Sequence, residues 1–180
     1  SAGDLYITNS ANDKDIIFQS DDGSGGVATY MYLDGSLTEN RFAKATRHSD
    51  NIIAKFGDGN DLNIYSDGTN GIISTETNDG DLILKSDDGS GGTTAYLTLD
   101  GSATNVYVQK NLKLADDVLL QIGDSGDLNL TTDGSHGYIS NVTGNLYIKN
   151  QADDADIIFQ SDDGSGGTTA YLTLDGSLGY

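Results

Sequence analysis

The sequence of 180 residues has no cysteine, no proline, no tryptophan and a single methionine. Without cysteine there is neither a disulfide scaffold nor a thiolate-ligated zinc site. Collagen is excluded by the missing proline and by glycines that do not fall at every third position. Basic residues are scarce: 9 Lys and Arg against 28 Asp and Glu give a net charge of −19. A nucleic-acid-binding surface needs the opposite sign, so no nucleic acid partner is expected. No apolar run reaches the roughly 18 residues of a membrane-crossing helix, so no membrane insertion is expected either. Apolar content is only 36%.

What is present is turn chemistry interleaved with strand formers. There are 24 glycines and 10 tyrosines, and Ile, Val, Thr and Tyr recur in short clusters. Disordered chains are poor in those residues. The composition therefore predicts an ordered but thin structure with little core per chain, completed by association.

Repeats dominate the chain. Ser86 to Ser102 reads SDDGSGGTTAYLTLDGS, and Ser161 to Ser177 repeats it unchanged. Ser20 to Ser36 reads SDDGSGGVATYMYLDGS, which places the three copies at offsets of 66 and 75 residues. A second unit, Phe56 to Ser74, matches Ile122 to Ser140. Gly3 to Ile7 (GDLYI) resembles Gly144 to Ile148 (GNLYI) and Gly80 to Leu84 (GDLIL). The chain reads as one repetitive region over 1–180, with units of about 3–38, 51–105 and 117–180 and an irregular connector at about 37–51. The difference of 9 residues between the two offsets predicts a strand-sized insert around Asn150–Asp156.

Within the repeats the apolar period is 2, which means strands. Ala95, Leu97 and Leu99 alternate with Thr94, Tyr96 and Thr98. Leu62 and Ile64, Leu128 and Leu130, Val106 and Val108, Leu112 and Leu114, and Val118, Leu120 and Ile122 form similar rows. Asp-Gly pairs punctuate these rows, among them Asp34-Gly35, Asp100-Gly101 and Asp175-Gly176, and suit tight turns. Asp15–Gln19 and Val27–Leu33 read as an antiparallel hairpin around a Gly-rich loop. The connector, with Arg41, Lys44, Arg47 and His48, reads as a short helix or an irregular link, its cations paired with nearby acids. The start at Ser1-Ala2 without Met, and a last motif that breaks off at Tyr180, suggest a fragment or a processed product.

The runs Gly57 to Gly68 (GDGNDLNIYSDG) and Asp124 to Ile148, with the blocks DIIFQSDDGSGG and LTLDGS, resemble the repetitive shaft regions of marine bacteriophage tail-fibre and appendage proteins. The resemblance covers nearly the whole chain, without a tip domain or a self-cleaving chaperone. It implies an all-β, elongated fibre of short strands and hairpins, of triple β-helix or β-prism type, built as an intertwined or side-by-side homotrimer. It further implies a place in the virion, outside the host cell, beside other tail proteins, as a structural segment serving host attachment.

Other chemistry is weighed against that reading. Acid pairs such as Asp21-Asp22, Asp87-Asp88 and Asp162-Asp163 suggest a tailspike-type polysaccharide depolymerase, since two carboxylates flank a glycosidic bond in such enzymes. Pairs recurring in identical turns favour a turn role instead, so no enzyme activity and no catalytic residue are expected. The Asp/Gly loops offer oxygen ligands for calcium, yet their spacing fits neither an EF-hand nor a calcium-binding β-roll; no cofactor is the preferred expectation. His136 stands where the other copy has Asn70, which marks a turn position. Tyr6, Tyr96, Tyr107, Tyr147 and Tyr171 are placed opposite the aliphatic rows. They are candidate contacts to a host surface glycan or receptor, in which case the chain is a glycan-binding module; packing between strands or chains is preferred.

Overall fold

The computed structural model describes residues 3–178. It is all-β, with no helix among the described residues. The strands are β1 (Ile16–Asp21), β2 (Val27–Asp34), β3 (Glu39–Phe42), β4 (Ala54–Phe56), β5 (Leu62–Ser66), β6 (Gly71–Thr75), β7 (Leu82–Asp87), β8 (Thr93–Asp100), β9 (Asn105–Val108), β10 (Leu120–Ile122), β11 (Leu128–Thr132), β12 (Gly137–Asn141), β13 (Ile157–Asp162) and β14 (Thr168–Leu174). They form small antiparallel sheets in chain order: β1-β2-β3, β4-β5-β6, β7-β8-β9, β10-β11-β12 and β13-β14. The chain divides into two compact units, the first up to Asn111 and the second from Leu112. The first holds three of the sheets and the second holds two.

Two sheet designs alternate. In the first, a hairpin with the loop SDDGSGG joins two long strands, and a third strand is added after the Asp-Gly-Ser turn. β1-β2-β3 and β7-β8-β9 follow it, and β13-β14 has its first two strands. In the second, a strand of three residues precedes two of five, as in β4-β5-β6 and β10-β11-β12.

The connector contains no helix. Its start, Glu39–Phe42, is β3, because Met31, Tyr32, Leu33 and Asp34 offer it an edge to pair with. Arg41 pairs with Glu39 at 3.1 Å and lies 3.6 Å from Asp34, as a cation among acids should. Leu112 and Leu114 have strand periodicity but no strand partner among the described residues. The insert lies earlier than the spacing suggested. The turn at Asn150–Asp156 has a counterpart before β7, where Asp79 (φ 57°) matches Asp154 (φ 56°). The additional residues are those of the 142–150 segment, which separates β12 from that turn.

Each sheet has two unlike faces, set by its register. In β7-β8-β9, Leu82 pairs Leu99 and Leu99 pairs Val106, while Leu84 pairs Leu97 and Leu97 pairs Val108. Directly paired residues share a face, so these six form one aliphatic patch. The opposite face carries the row Ile83, Thr98 and Tyr107. The other sheets repeat this: Ile16, Phe18, Met31, Leu33 and Phe42 in the first, and Leu120, Ile122, Leu128, Leu130 and Ile139 in the fourth.

One expected row is broken. The register shifts between Leu84 and Lys85, so that Tyr96 is an extra residue in β8. Ala95 then pairs Lys85 and falls on the face opposite Leu97, not beside it. The same bulge occurs at Tyr30 and Tyr171.

Candidate functional site

Among the described residues, no hydrophobic side chain is buried. The buried side chains are Asp34, Asn63 and Thr98, which sit on the polar faces. Thr98 is covered by Gln109, whose Nε2 donates to its Oγ1 at 2.6 Å. In each unit the substantial strand contacts are those between hydrogen-bonded neighbours, so no second sheet covers an aliphatic face. The best shielded positions are therefore single polar ones at the middle of the central strands, while both faces keep exposed residues: Leu84, Leu99, Val106 and Val108 on the aliphatic side of the third sheet, Ile83 and Tyr107 on the other. Contiguous apolar patches of this kind mark interaction sites.

The turns hold these faces in shape, and their geometry repeats closely. In the first hairpin loop, Asp21 Oδ1 accepts from Gly23 N–H at 2.8 Å. Asp22 Oδ1 accepts from the Ser24 N–H and hydroxyl, both at 2.8 Å, and from Gly26 N–H at 3.0 Å. The loops at 87–92 and 162–167 repeat all four bonds. A Cβ at Gly26 would stand 2.5 Å from Asp22 Oδ2, so a side chain there would require the Asp22 carboxylate to shift.

A second device closes the hairpin base. Gly35 N–H donates to Asp15 Oδ1 at 3.0 Å, Gly101 N–H to Asp81 Oδ1 at 3.1 Å, and Gly176 N–H to Asp156 Oδ1 at 3.0 Å. Beside it, Asp34 Oδ1 accepts from the Ser36 hydroxyl and from the N–H groups of Ser36 and Leu37. The blocks DIIF and LDGS are thus two halves of one latch. Sequence reading missed Asp15, Asp81 and Asp156 as partners of the Asp-Gly turn; the signal was their constant spacing of 20 residues.

The candidate tyrosines divide by what holds them. Tyr96 and Tyr171 sit in the bulges, and their hydroxyls donate to the carbonyls of Asp87 and Asp162 at 3.2 and 3.1 Å. They brace their own hairpins. Tyr107 lies on the polar face in a row with Ile83 and Thr98. Tyr6 and Tyr147 lie outside the sheets, with their rings exposed, and Lys149 Nζ stands 5.1 Å from the Tyr147 ring centre. The five thus have three different local surroundings.

Catalytic and metal readings meet the same turns. Both members of each repeated acid pair accept hydrogen bonds from their own loop. The most chemically varied cluster is Asp133, His136 and Tyr138. Asp133 Oδ1 accepts from the Ser135 and His136 N–H groups, its Oδ2 accepts from the Tyr138 hydroxyl at 2.7 Å, and His136 Nδ1 is 3.5 Å away. In the sister turn, Asp67 accepts the same two backbone bonds from Thr69 and Asn70. The cluster is thus a decorated turn. No group of three or more His, Cys, Asp or Glu side chains converges as a metal site among the described residues.

These bonds depress carboxyl pKa values. The Tyr138 hydroxyl and then the His136 N–H hold Asp133 down to about 2. Serine hydroxyls do the same for Asp22, Asp34, Asp88 and Asp175, and backbone N–H groups of Asn70, Ala103 and Ser165 do it for Asp67, Asp100 and Asp163. A carboxyl whose pKa is lower when folded stabilises the fold above its unfolded pKa, near 3.8, and loses that contribution as pH falls through the folded value. Protonation also relieves the −19 charge, which acts in the opposite direction. In 1 M salt the Debye length is about 3 Å, so the net-charge effect is screened and the short turn bonds survive. The expected result at 1 M NaCl is a melting temperature that is flat from pH 7 to 5 and falls between pH 4 and 2. A melting temperature that rises over that range would remove the turn carboxylates as stabilising groups.

Compared with protein-family models, curated proteins and solved structures, the chain matches none.

Proposed function

We propose that this chain is a structural shaft segment of a phage tail fibre or similar virion appendage, an elongated homotrimer that takes part in host attachment. The single observation behind this reading is the exposed aliphatic face on sheet after sheet. The accessible surface of the chain is 14375 Å². A folded monomer of 18.9 kDa exposes about 8,300 Å². Folding alone removes only about half of the extended-chain surface, where a monomeric domain of this size removes about 70%. A chain with that deficit lacks the apolar burial to offset its conformational entropy. It becomes stable when copies cover one another's aliphatic faces. The resemblance to appendage repeats supplies the count of three and the role in the virion. A trimer carrying three times −19 charges stays soluble and repels further edge-to-edge growth.

Sedimentation equilibrium at micromolar concentration tests the assembly. The expected mass is three times 18.9 kDa. A mass of one chain would overturn the reading, and a mass of two chains would replace the shaft by a face-to-face sandwich.

A further inference from the structure

The second unit contains a strand-patterned segment that forms no strand. Segment 145–150 reads Asn-Leu-Tyr-Ile-Lys-Asn and leads into the turn before β13. Its side chains alternate as in a sheet. Asn145 Nδ2 approaches the Tyr147 hydroxyl at 3.4 Å, and Lys149 reaches the same ring, which places 145, 147 and 149 on one side. Leu146 and Ile148 alternate with them and are exposed. β9 has the same order of residues, Asn105-Val106-Tyr107-Val108, and the same Asn-to-Tyr approach at 3.5 Å, but it is paired to β8. The backbone groups of Leu146 to Lys149 make no backbone hydrogen bond among the described residues.

Leu5 to Asn9 in the first unit is a twin. Asn9 Nδ2 donates to the Asp15 carbonyl at 2.9 Å, and Ala11 N–H donates to Asn9 Oδ1 at 3.1 Å. Asn150, Asp156 and Ala152 repeat both bonds at the same distances. Each segment is therefore fastened at its C-terminal end in a fixed way, while its strand-patterned part is bare. Backbone groups of this kind are an obligatory hydrogen-bonding load, and a row of them is a template for another edge.

We propose that Leu146–Asn150 and Leu5–Asn9 add as edge strands to a sheet of a second copy of this chain. A second copy is the occupant because the surface left exposed, roughly 6,000 Å² above that of a folded monomer, exceeds the 1,200–2,000 Å² of a standard stable interface. The pattern also suits it: every sheet of this chain presents the same aliphatic-and-polar alternation that the segments carry. The inference rests on the self-assembling shaft reading and specifies backbone pairing within it, beyond contact of aliphatic faces.

Amide hydrogen exchange on the purified protein tests it, since only copies of the chain are then available as acceptors. In an antiparallel or parallel edge pairing, alternate N–H groups are engaged. The expected result is that at least two amides of 146–150 exchange 100-fold or more slower than in a free peptide, and that this protection disappears in a single-chain Leu97→Asp variant. Exchange within tenfold of the peptide rate in a protein that sediments as an oligomer would overturn the strand pairing and leave the shaft reading standing. Protection that persists in the single-chain variant would overturn it too, because the acceptor would then lie in the same chain. Wild-type protein that sediments as one chain would bring down both.

Discussion

In the proposed trimer, Leu97→Asp is expected to separate the chains. Leu97 is at the centre of the aliphatic patch of β7-β8-β9, paired with Leu84 on one side and Val108 on the other. Covering a leucine is worth about 1.5–3 kcal/mol, and an uncompensated carboxylate under the same cover adds a further penalty. About 3 kcal/mol per chain, met three times around a trimer, approaches 9 kcal/mol. At 1.4 kcal/mol per decade that is roughly a 10⁶-fold loss in the association constant. The control is Tyr107→Asp on the opposite face of the same sheet, where the ring is half exposed and pairs with Thr98. It should leave the sedimentation coefficient unchanged. The reverse pattern, with Tyr107→Asp dissociating the protein and Leu97→Asp tolerated, would mean that the polar faces meet and the aliphatic faces remain outside.

The alternation that identifies this patch was legible in the sequence. Val106 and Val108, Leu62 and Ile64, and Leu128 and Leu130 fall on the faces that their period implies. Ala95 did not, because a bulge adds one residue without changing composition, and Tyr96 suits either face. Strand periodicity was equally clear at Leu112 and Leu114, yet no strand forms there. A period of 2 reports which side chains share a face; pairing also needs an edge, and an edge belongs to another segment. The latch from Asp15 to Gly35 was hidden for a related reason. Asp-Gly reads as a turn by itself, and its partner is identified only once β1 and β2 bring residues 20 apart together. The candidate tyrosines were read as one set because the sequence gives each ring an exposed strand position. The bulge fastens Tyr96 and Tyr171 to their own loops, while Tyr6 and Tyr147 fall in segments that form no strand.

That latch makes Gly101→Ala, like its counterparts at Gly35 and Gly176, a damaging small substitution. A Cβ at Gly101 would drive into the carbonyl oxygen of Gly80, and its next neighbours, the carbonyl carbons of Gly80 and Asp79, would be 3.2 and 3.3 Å away. All three are backbone atoms, so no side chain can rotate aside. Relief requires the turn at 77–80 to move away from the hairpin base, which also breaks the 3.1 Å bond from Gly101 N–H to Asp81. Overpacking of this sort costs about 1–3 kcal/mol, and lost bonding at the base moves the total towards the upper end. With about 2–4 °C per kcal/mol for a chain of this length, the melting temperature should fall by about 6–12 °C. Gly89→Ala supplies the comparison. Gly89 has a positive φ of 81°, so alanine is strained there, but nothing lies within 4 Å of the added Cβ. Its cost is the left-handed conformation alone, about 1 kcal/mol, or about 2–4 °C. Gly35 and Gly176 meet the carbonyls of Lys14 and Ala155 in the same way, so the three latch substitutions should act alike. Equal losses at Gly89 and Gly101 would mean that turn strain, and not the closeness of the two chain segments at the hairpin base, limits the stability of the sheet.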